Sequence, residues 1–411
     1  MQVTNLHKAE PFRLSGCGIG SYAFLAATLL SAAPAFAQGG GRKIDIRAVN
    51  TIDYNDNVVL NDPRISGGGT RGDVSTSPSL SLDIVLPRAT GSTYVNGTIG
   101  YRFFKNYTRL NRENISLNGG ADQRFASCLT HGEVGYTRAL GELSDLLTTD
   151  TPQSFRNTQE SRRFSADIGC GSYGLRPSLA YSRFETRNNS ALRQFGDSNS
   201  DSLTAQLGLS VPAIGTISVF GRGSDTRYIH RLTPTGGKDG SKSYAVGVQL
   251  ERSLGTRLNF SGSVNYTKVD PKLAGTRSFS GIGYQLSASY RGDDYSVQLS
   301  GSRSSEPSAI YFVSYNITTT ISASVSKQLS NRMSLGVNAG RTWRDFAASS
   351  LFLNAPVSGS DESFNLGANI SYSAIRRLRF SLGTTYSERT SNIQLFPYKS
   401  TRVFFTTSLA L

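Results

Sequence analysis

The chain has 411 residues, 37% of them hydrophobic and 18% charged, with a mean hydropathy of −0.28 and a formal net charge of +14. Its 19 tyrosines and 21 phenylalanines are too many for a disordered chain, and only one long apolar stretch occurs, which excludes a bundle of membrane-spanning helices. The length allows several ordinary domains or one large β unit, and the abundance of Gly, Ser, Thr, Asn and Tyr suits a protein with a wet interior.

The apolar stretch comes first. It follows Lys8 and Arg13, runs from Gly18 to Ala33 and ends in Ala35-Phe36-Ala37, the order of a signal peptide with cleavage before Gln38. The expected division is therefore residues 1–37 as signal peptide and 38–411 as the mature domain. Cys17 lies before the apolar core and not after it, which argues against lipoprotein acylation. Loss of Lys8, Glu10 and Arg13 takes the net charge from +14 to +13.

From residue 43 onward, apolar side chains alternate with small or polar ones. Ile282, Tyr284, Leu286, Ala288 and Tyr290 stand against Gly283, Gln285, Ser287 and Ser289, and Phe364 to Tyr372 repeats the pattern. Such alternation places one face in an apolar medium and the other in a polar one. In chain order it predicts strands at 43–52, 74–86, 93–106, 114–126, 131–140, 162–170, 176–188, 199–213 and 215–230. The second half follows at 241–254, 257–271, 277–291, 294–306, 311–328, 332–346, 361–376, 378–391 and 399–411.

Every second connection in this series of eighteen strands is tight, as at Gly255–Thr256 and Arg377. The others are mostly longer, as at Gly141–Ser161 and Ala347–Ser360. An even number of strands with alternating short and long connections is the pattern of a transmembrane antiparallel β-barrel with short periplasmic turns and longer external loops. A β-sandwich needs a dry apolar face, which Ser, Asn, Gln, Gly and Thr cannot form. Tyr101, Phe103, Tyr136, Tyr244, Tyr266, Trp343 and Tyr386 fall near the long-loop ends, and Tyr290, Tyr295 and Tyr372 near the short-turn ends, as girdles at two membrane boundaries would. The closing residues Phe405, Thr407, Leu409 and Leu411 share one parity and partly match the terminal signal read by the barrel-assembly machinery.

Sites for chemistry are few. Gly67-Gly68-Gly69-Thr70-Arg71-Gly72 has dinucleotide-loop spacing but precedes a strand where that motif needs a helix, so a loop is expected. Arg71-Gly72-Asp73 is assigned to chance. Asp53 to Asn57 is rich in oxygen ligands, and ordinary turn chemistry is preferred over a hard cation such as calcium. His131, placed at a periplasmic turn, and His230, at the base of an external loop, lie beside no nucleophile motif, so no catalytic residue, cofactor or enzymatic activity is assigned. Cys128 and Cys170 are placed at the ends of the fourth and sixth strands. A strand between them would stretch a direct disulfide beyond its usual span unless Cys128 bends inward from its turn.

On the inward parity stand Arg102, Arg163, Arg222, Arg291 and Arg344 against Asp83, Asp167 and Glu251. Surplus arginine in a lumen would favour anions, and the same side chains can serve as counter-charges to lumenal carboxylates. Nucleic acid is discounted as a partner because an exported barrel has little access to it.

Tyr54-Asn55-Asp56-Asn57-Val58-Val59-Leu60, following the first strand, resembles the opening motif of a family of outer-membrane β-barrels found with bacterial exopolysaccharide biosynthesis genes. Tyr54, Asp56 and Asn57 carry the resemblance. Asn55 and Val59 depart from the usual Asp and Phe. It implies a role in export or surface handling of a polysaccharide and transfers no catalytic residue. The expected function is thus an outer-membrane channel that exports an anionic exopolysaccharide. Its partners would be outer-membrane lipid, the acidic polymer, periplasmic export components and, during biogenesis, the barrel-assembly machinery. A diffusion porin for small sugars or nutrient anions and a non-conducting structural barrel are the alternatives.

Overall fold

A computed structural model describes residues 41–61, 69–141, 157–171, 174–233, 236–308, 310, 313–348, 358–392 and 397–411. The proposed signal peptide, residues 1–37, lies outside them, as do Gly67, Gly68 and most of the 141–161 connection. The described chain forms β1 (Lys43–Asn55), β2 (Asp73–Arg88), β3 (Gly91–Phe104), β4 (Arg112–Phe125), β5 (Cys128–Leu140) and β6 (Thr158–Cys170). These are followed by β7 (Gly174–Asn188), β8 (Ser198–Val211), β9 (Gly215–Leu232), β10 (Lys238–Leu254), β11 (Leu258–Pro271) and β12 (Phe279–Arg291). The last six are β13 (Tyr295–Pro307), β14 (Val313–Ser330), β15 (Met333–Ala348), β16 (Ser358–Ile375), β17 (Leu378–Ser391) and β18 (Tyr398–Ala410).

Each strand pairs antiparallel with its sequence neighbours, and β1 pairs with β18 from Arg47↔Ala410 to Asn55↔Arg402, so the 18-stranded sheet closes on itself. Closure removes both sheet edges and satisfies the backbone without water, which is the condition for crossing a bilayer with strands. A 13-residue strand such as β5 is about 44 Å long, or about 34 Å along the barrel axis at a 40° tilt. That exceeds the apolar band of about 25 Å, so the strand ends project beyond it.

The period-2 pattern decides what each face meets. Val246 (70% exposed), Ile282 (63%), Tyr266 (60%) and Val219 (55%) point away from the barrel, an arrangement unsuited to water and suited to lipid. The other face carries hydroxyl pairs across strands, among them Thr51–Thr406 (2.9 Å), Ser224–Ser243 (2.7 Å), Ser300–Ser322 (2.6 Å) and Ser371–Ser381 (2.8 Å). Such bonds make a polar wall without a dry core. Packed apolar clusters form instead at the loop ends, where Val58, Val59, Phe104, Tyr107 and Leu110 meet on one side and Val269, Tyr315 and Ile317 on another.

Tight turns require particular residues. Gly215 opens β9 at φ +108°, and a Cβ there would meet the Glu251 carbonyl oxygen at 2.2 Å, so both backbone angle and space demand glycine.

The cysteines correct the expected spacing. Cys128 is not in a turn beyond the fourth strand but is the first residue of β5, because the β4–β5 turn needs only Ala126 and Ser127; it lies directly opposite Cys170 of β6. No strand intervenes, and the two sulfurs are bonded at 2.09 Å. Closing a 42-residue separation stabilises by about 4 kcal/mol in the chain-entropy account. Replacing both cysteines by serine should lower the midpoint of denaturant unfolding in detergent micelles, and an unshifted midpoint would deny the bond a stabilising role.

Candidate functional site

The sheet register puts Arg102, Arg163, Arg222, Arg291 and Arg344, with Asp83, Asp167 and Glu251, on the face opposite the exposed apolar residues. Their surroundings divide them. Arg163, Arg222 and Arg344 line a cavity of about 660 Å³. Arg291 ends β12 and is exposed beside the β12–β13 turn, at the periplasmic rim. Asp83 accepts a bond from Lys43 Nζ at 2.7 Å near the same rim. His131 belongs to the wall and not to a turn: it is the fourth residue of β5, with Nδ1 2.7 Å from Asp122 Oδ1, and Asp167 faces it in the register. His230 stands at the outer end of β9, with Nε2 3.5 Å from Asp197 Oδ2.

Two of these arginines are counter-charges in three-membered clusters. Asp53, 2% exposed, accepts from Arg102 Nη2 (2.8 Å), Arg402 Nη2 (2.9 Å) and Ser75 Oγ (2.9 Å), which joins β1, β2, β3 and β18 across the closing seam. Asp361 accepts from Arg344 Nε (2.9 Å) and Nη2 (2.6 Å) and also from Arg389, which joins β15, β16 and β17. Each cluster sets two guanidinium groups on one carboxylate. Arg222 differs. Its Nε donates to Thr204 Oγ1 (3.2 Å), its guanidinium lies 6.0 Å from the Phe220 ring centre, and among the described residues no carboxylate forms an ion pair with it.

Phe104, Phe346 and Phe404 repeat the arrangement around Arg102, Arg344 and Arg402, at 4.7, 5.3 and 5.6 Å. In all four cases arginine and phenylalanine are two residues apart and so share the inward face, the ring shielding the guanidinium plane. The two-residue spacing is visible in the sequence as Arg102-Phe103-Phe104, Phe220-Gly221-Arg222, Arg344-Asp345-Phe346 and Arg402-Val403-Phe404. Asp361, Arg389 and Arg402 carry no sequence signal, and Asp53 reads there only as part of an oxygen-rich turn, because membership of a cluster depends on strands as distant in the chain as β1 and β18.

Toward the external side the cavity is narrowed by two connections. The short 3₁₀ turn Ala191–Gly196, between β7 and β8, contributes Arg193 and Gly196 to the lining, and the β13–β14 connection contributes Ser308 and Ile310. Both are fastened by the outer end of β9. Arg231, 3% exposed, donates from Nε to Phe195 O (2.5 Å), from Nη1 to Val313 O (2.8 Å) and from Nη2 to Ser308 O (2.6 Å), with its guanidinium 3.8 Å from the Tyr228 ring centre. Tyr228, fully buried, donates its hydroxyl to Ser314 O (2.8 Å) and accepts from Ser308 N (2.7 Å). Asp197, which follows the 3₁₀ turn, accepts from Asn188 N and Nδ2, both at 2.8 Å. Burial pushes its carboxyl above the usual range, against the pull of the Asn188 donors and His230.

The motif residues have structural work. Asn57 Nδ2 donates to Lys399 O (2.7 Å), Asp56 Oδ1 accepts from Thr401 N (2.7 Å), and Asn55 Oδ1 accepts from Asn57 N (2.8 Å), so the Asx side chains tie the end of β1 to β18. Tyr54 is 52% exposed on the outward face.

No family model and no curated protein matches the chain. Among solved structures it is similar to a BenF-like porin from Pseudomonas fluorescens Pf-5, at 11% identity over 90% of this chain and 99% of that one, with a TM-score of 0.46. It is also similar to OccK2 (OpdF) of Pseudomonas aeruginosa (11% identity, 90% and 98% covered, TM-score 0.45) and to the siderophore receptor PirA of the same species (13%, 90% and 81%, 0.40). The chain is an outer-membrane β-barrel. Its closed sheet, its lipid-suited outer face and its polar inner face meet the requirements of that membrane together.

Proposed function

We propose that this barrel is a passive diffusion channel for small polar solutes, with a preference for anions. The observation that carries the reading is the cavity inside the barrel. Its inward-pointing charged lining consists of Arg163, Arg193, Arg222, Arg344 and Arg389 against Glu133 and Glu306, and Asp361 compensates two of those arginines from behind. The remaining lining is largely Ser, Thr and Asn, which can exchange hydrogen bonds with a hydrated solute as it passes. A volume of about 660 Å³ suits one small molecule. The two connections that bring Arg193, Gly196, Ser308 and Ile310 into the cavity lining support the small-solute reading over the polysaccharide conduit that the motif resemblance implies.

The test is reconstitution of the mature protein in planar bilayers under a salt gradient. The reversal potential is expected to show anion selectivity. A unit charge about 8 Å from a permeating ion is worth about 0.5 kcal/mol in water, favourable to an anion and unfavourable to a cation. Physiological salt screens this to about 0.2 kcal/mol, so Arg163→Gln with Arg222→Gln should cut the anion-to-cation permeability ratio about fourfold. A barrel that inserts without conducting, or whose selectivity ignores these two arginines, overturns the reading.

A further inference from the structure

The charges on the lipid-facing side of the outer rim are unevenly distributed around the barrel. On β4 to β8 the outward positions close into ion pairs such as Arg138 with Glu113 (2.5 Å) and Arg183 with Glu185 (2.7 Å), with carboxylates and guanidinium groups in balance. On β9 to β11 the balance is broken. Arg227, Lys242, Lys268 and Lys272 project there against only Asp225 and Asp270, and Lys238 is exposed at the start of β10. Each carboxylate is already engaged: Asp225 with Arg227 (2.6 Å) and Lys272 (2.7 Å), and Asp270 with Lys268 (3.2 Å). The sector therefore keeps a surplus of cations at the membrane boundary.

Directly below this sector the barrel surface is hollow. The outward positions of β9 between Val219 and Asp225 are Gly221 and Gly223; a Cβ at Gly221 would meet nothing within 4 Å, and one at Gly223 only the Tyr244 ring at 4.0 Å. Leu203 of β8 and Tyr244 of β10 lie opposite Gly223 and form the two walls of a shallow groove that runs from the cations into the apolar belt. Glycine within a strand gives up packing and marks places where something approaches the backbone closely.

We propose that β8 to β11 form a specific site for a phosphorylated lipid of the outer leaflet, with its phosphate on Lys242, Lys268 and Lys272 and one acyl chain along the Gly221–Gly223 groove. Charge complementarity selects the head group, since juxtamembrane lysines attract anionic lipid. The apolar groove below selects an amphiphile over a free anion. Lysine, a compact charge on a flexible stem, adapts to a phosphate monoester without a fixed fork geometry.

The experiment is native mass spectrometry of the mature barrel in detergent, titrated with a bis-phosphorylated glycolipid and with its dephosphorylated counterpart. The phosphorylated form is expected to bind at least about tenfold more tightly. Lys242→Gln with Lys268→Gln and Lys272→Gln should abolish that preference, whereas Arg138→Gln with Arg162→Gln on the balanced side should retain it. Gly223→Leu, which fills the groove and leaves every charge in place, should weaken both lipids and provides a second test should the lysine variant fail to assemble. Equal binding of the two lipids, displacement by millimolar inorganic phosphate, or indifference to both sets of substitutions overturns the site. Conductance of these variants should match the wild type, because none of the residues faces the cavity, so the outcome is separable from that of the channel reading.

Discussion

Arg231→Ala should at least double the unitary conductance while leaving the barrel assembled. The guanidinium is the common donor to Phe195 O, Val313 O and Ser308 O, and it therefore holds the β7–β8 and β13–β14 connections over the cavity. Removing it leaves three carbonyl groups without this donor, at a cost of about 1–3 kcal/mol for each that stays buried. Moving the connections outward into water restores their hydrogen bonds, and the free energy gained by that movement is what opens the passage. The ladders of β9 with β8 and β10 remain, and the wall gives up the 3.9 Å pair between Arg231 and the buried Asp239 at the start of β10. Tyr228→Phe should act in the same direction with a smaller effect, because it loses only the bonds to Ser314 O and from Ser308 N. Single-channel recording measures the change, and heat-modifiable migration on gels reports assembly. Unchanged conductance from an assembled Arg231→Ala barrel would show that these connections do not limit flow.

Asp361→Asn is expected to destabilise the barrel by about 2–4 kcal/mol, because it removes the carboxylate that Arg344 shares with the buried Arg389. Asparagine keeps one acceptor oxygen, so the loss should fall toward the lower end. The same substitution adds one unit of positive charge to the cavity wall and should raise the anion-to-cation permeability ratio about twofold, by a salt-screened Coulomb estimate of about 0.2 kcal/mol acting with opposite sign on anion and cation. Urea unfolding followed by tryptophan fluorescence reads the first effect through Trp343, which lies beside Arg344 on β15. Reversal potentials read the second. A variant with lower stability and unchanged selectivity would make Asp361 a purely structural counter-charge, and one unchanged in both would remove the cluster from the account. Asp53→Asn, which strips the carboxylate between Arg102 and Arg402, should repeat the stability loss at the β1–β18 seam.

The architecture was legible because its signal is local. Alternation at Ile282 to Tyr290 or Phe364 to Tyr372 reports a strand with two unlike faces wherever it occurs. The tight turns, such as Gly255, then divide the chain into hairpins without knowledge of any distant contact. The inward parity of Arg102, Arg222 and Arg344 follows from the same period of two.

What those arginines touch was not legible. Arg102 meets Asp53 and Arg402 only because β1 pairs with both β2 and β18, residues 349 positions apart in the case of Arg402 and Asp53. Cys128 and Cys170 were spaced wrongly because a shift of a few residues at a strand boundary decides whether a cysteine stands in a turn or opens the next strand. The position of Ser308 and Ile310 in the cavity lining has no sequence signature, since Tyr228 and Arg231 look like any aromatic and cation at a strand end until Ser308 and Ser314 arrive beside them.

By itself, then, the sequence determined eighteen two-faced strands, their short and long connections and the parity of each side chain, because these depend only on neighbours along the chain. The tertiary structure alone decided which carboxylate each lumenal arginine shares, which connection narrows the passage and where cations outnumber acids on the lipid-facing rim. These depend on closure and register, which bring together residues that no local pattern relates.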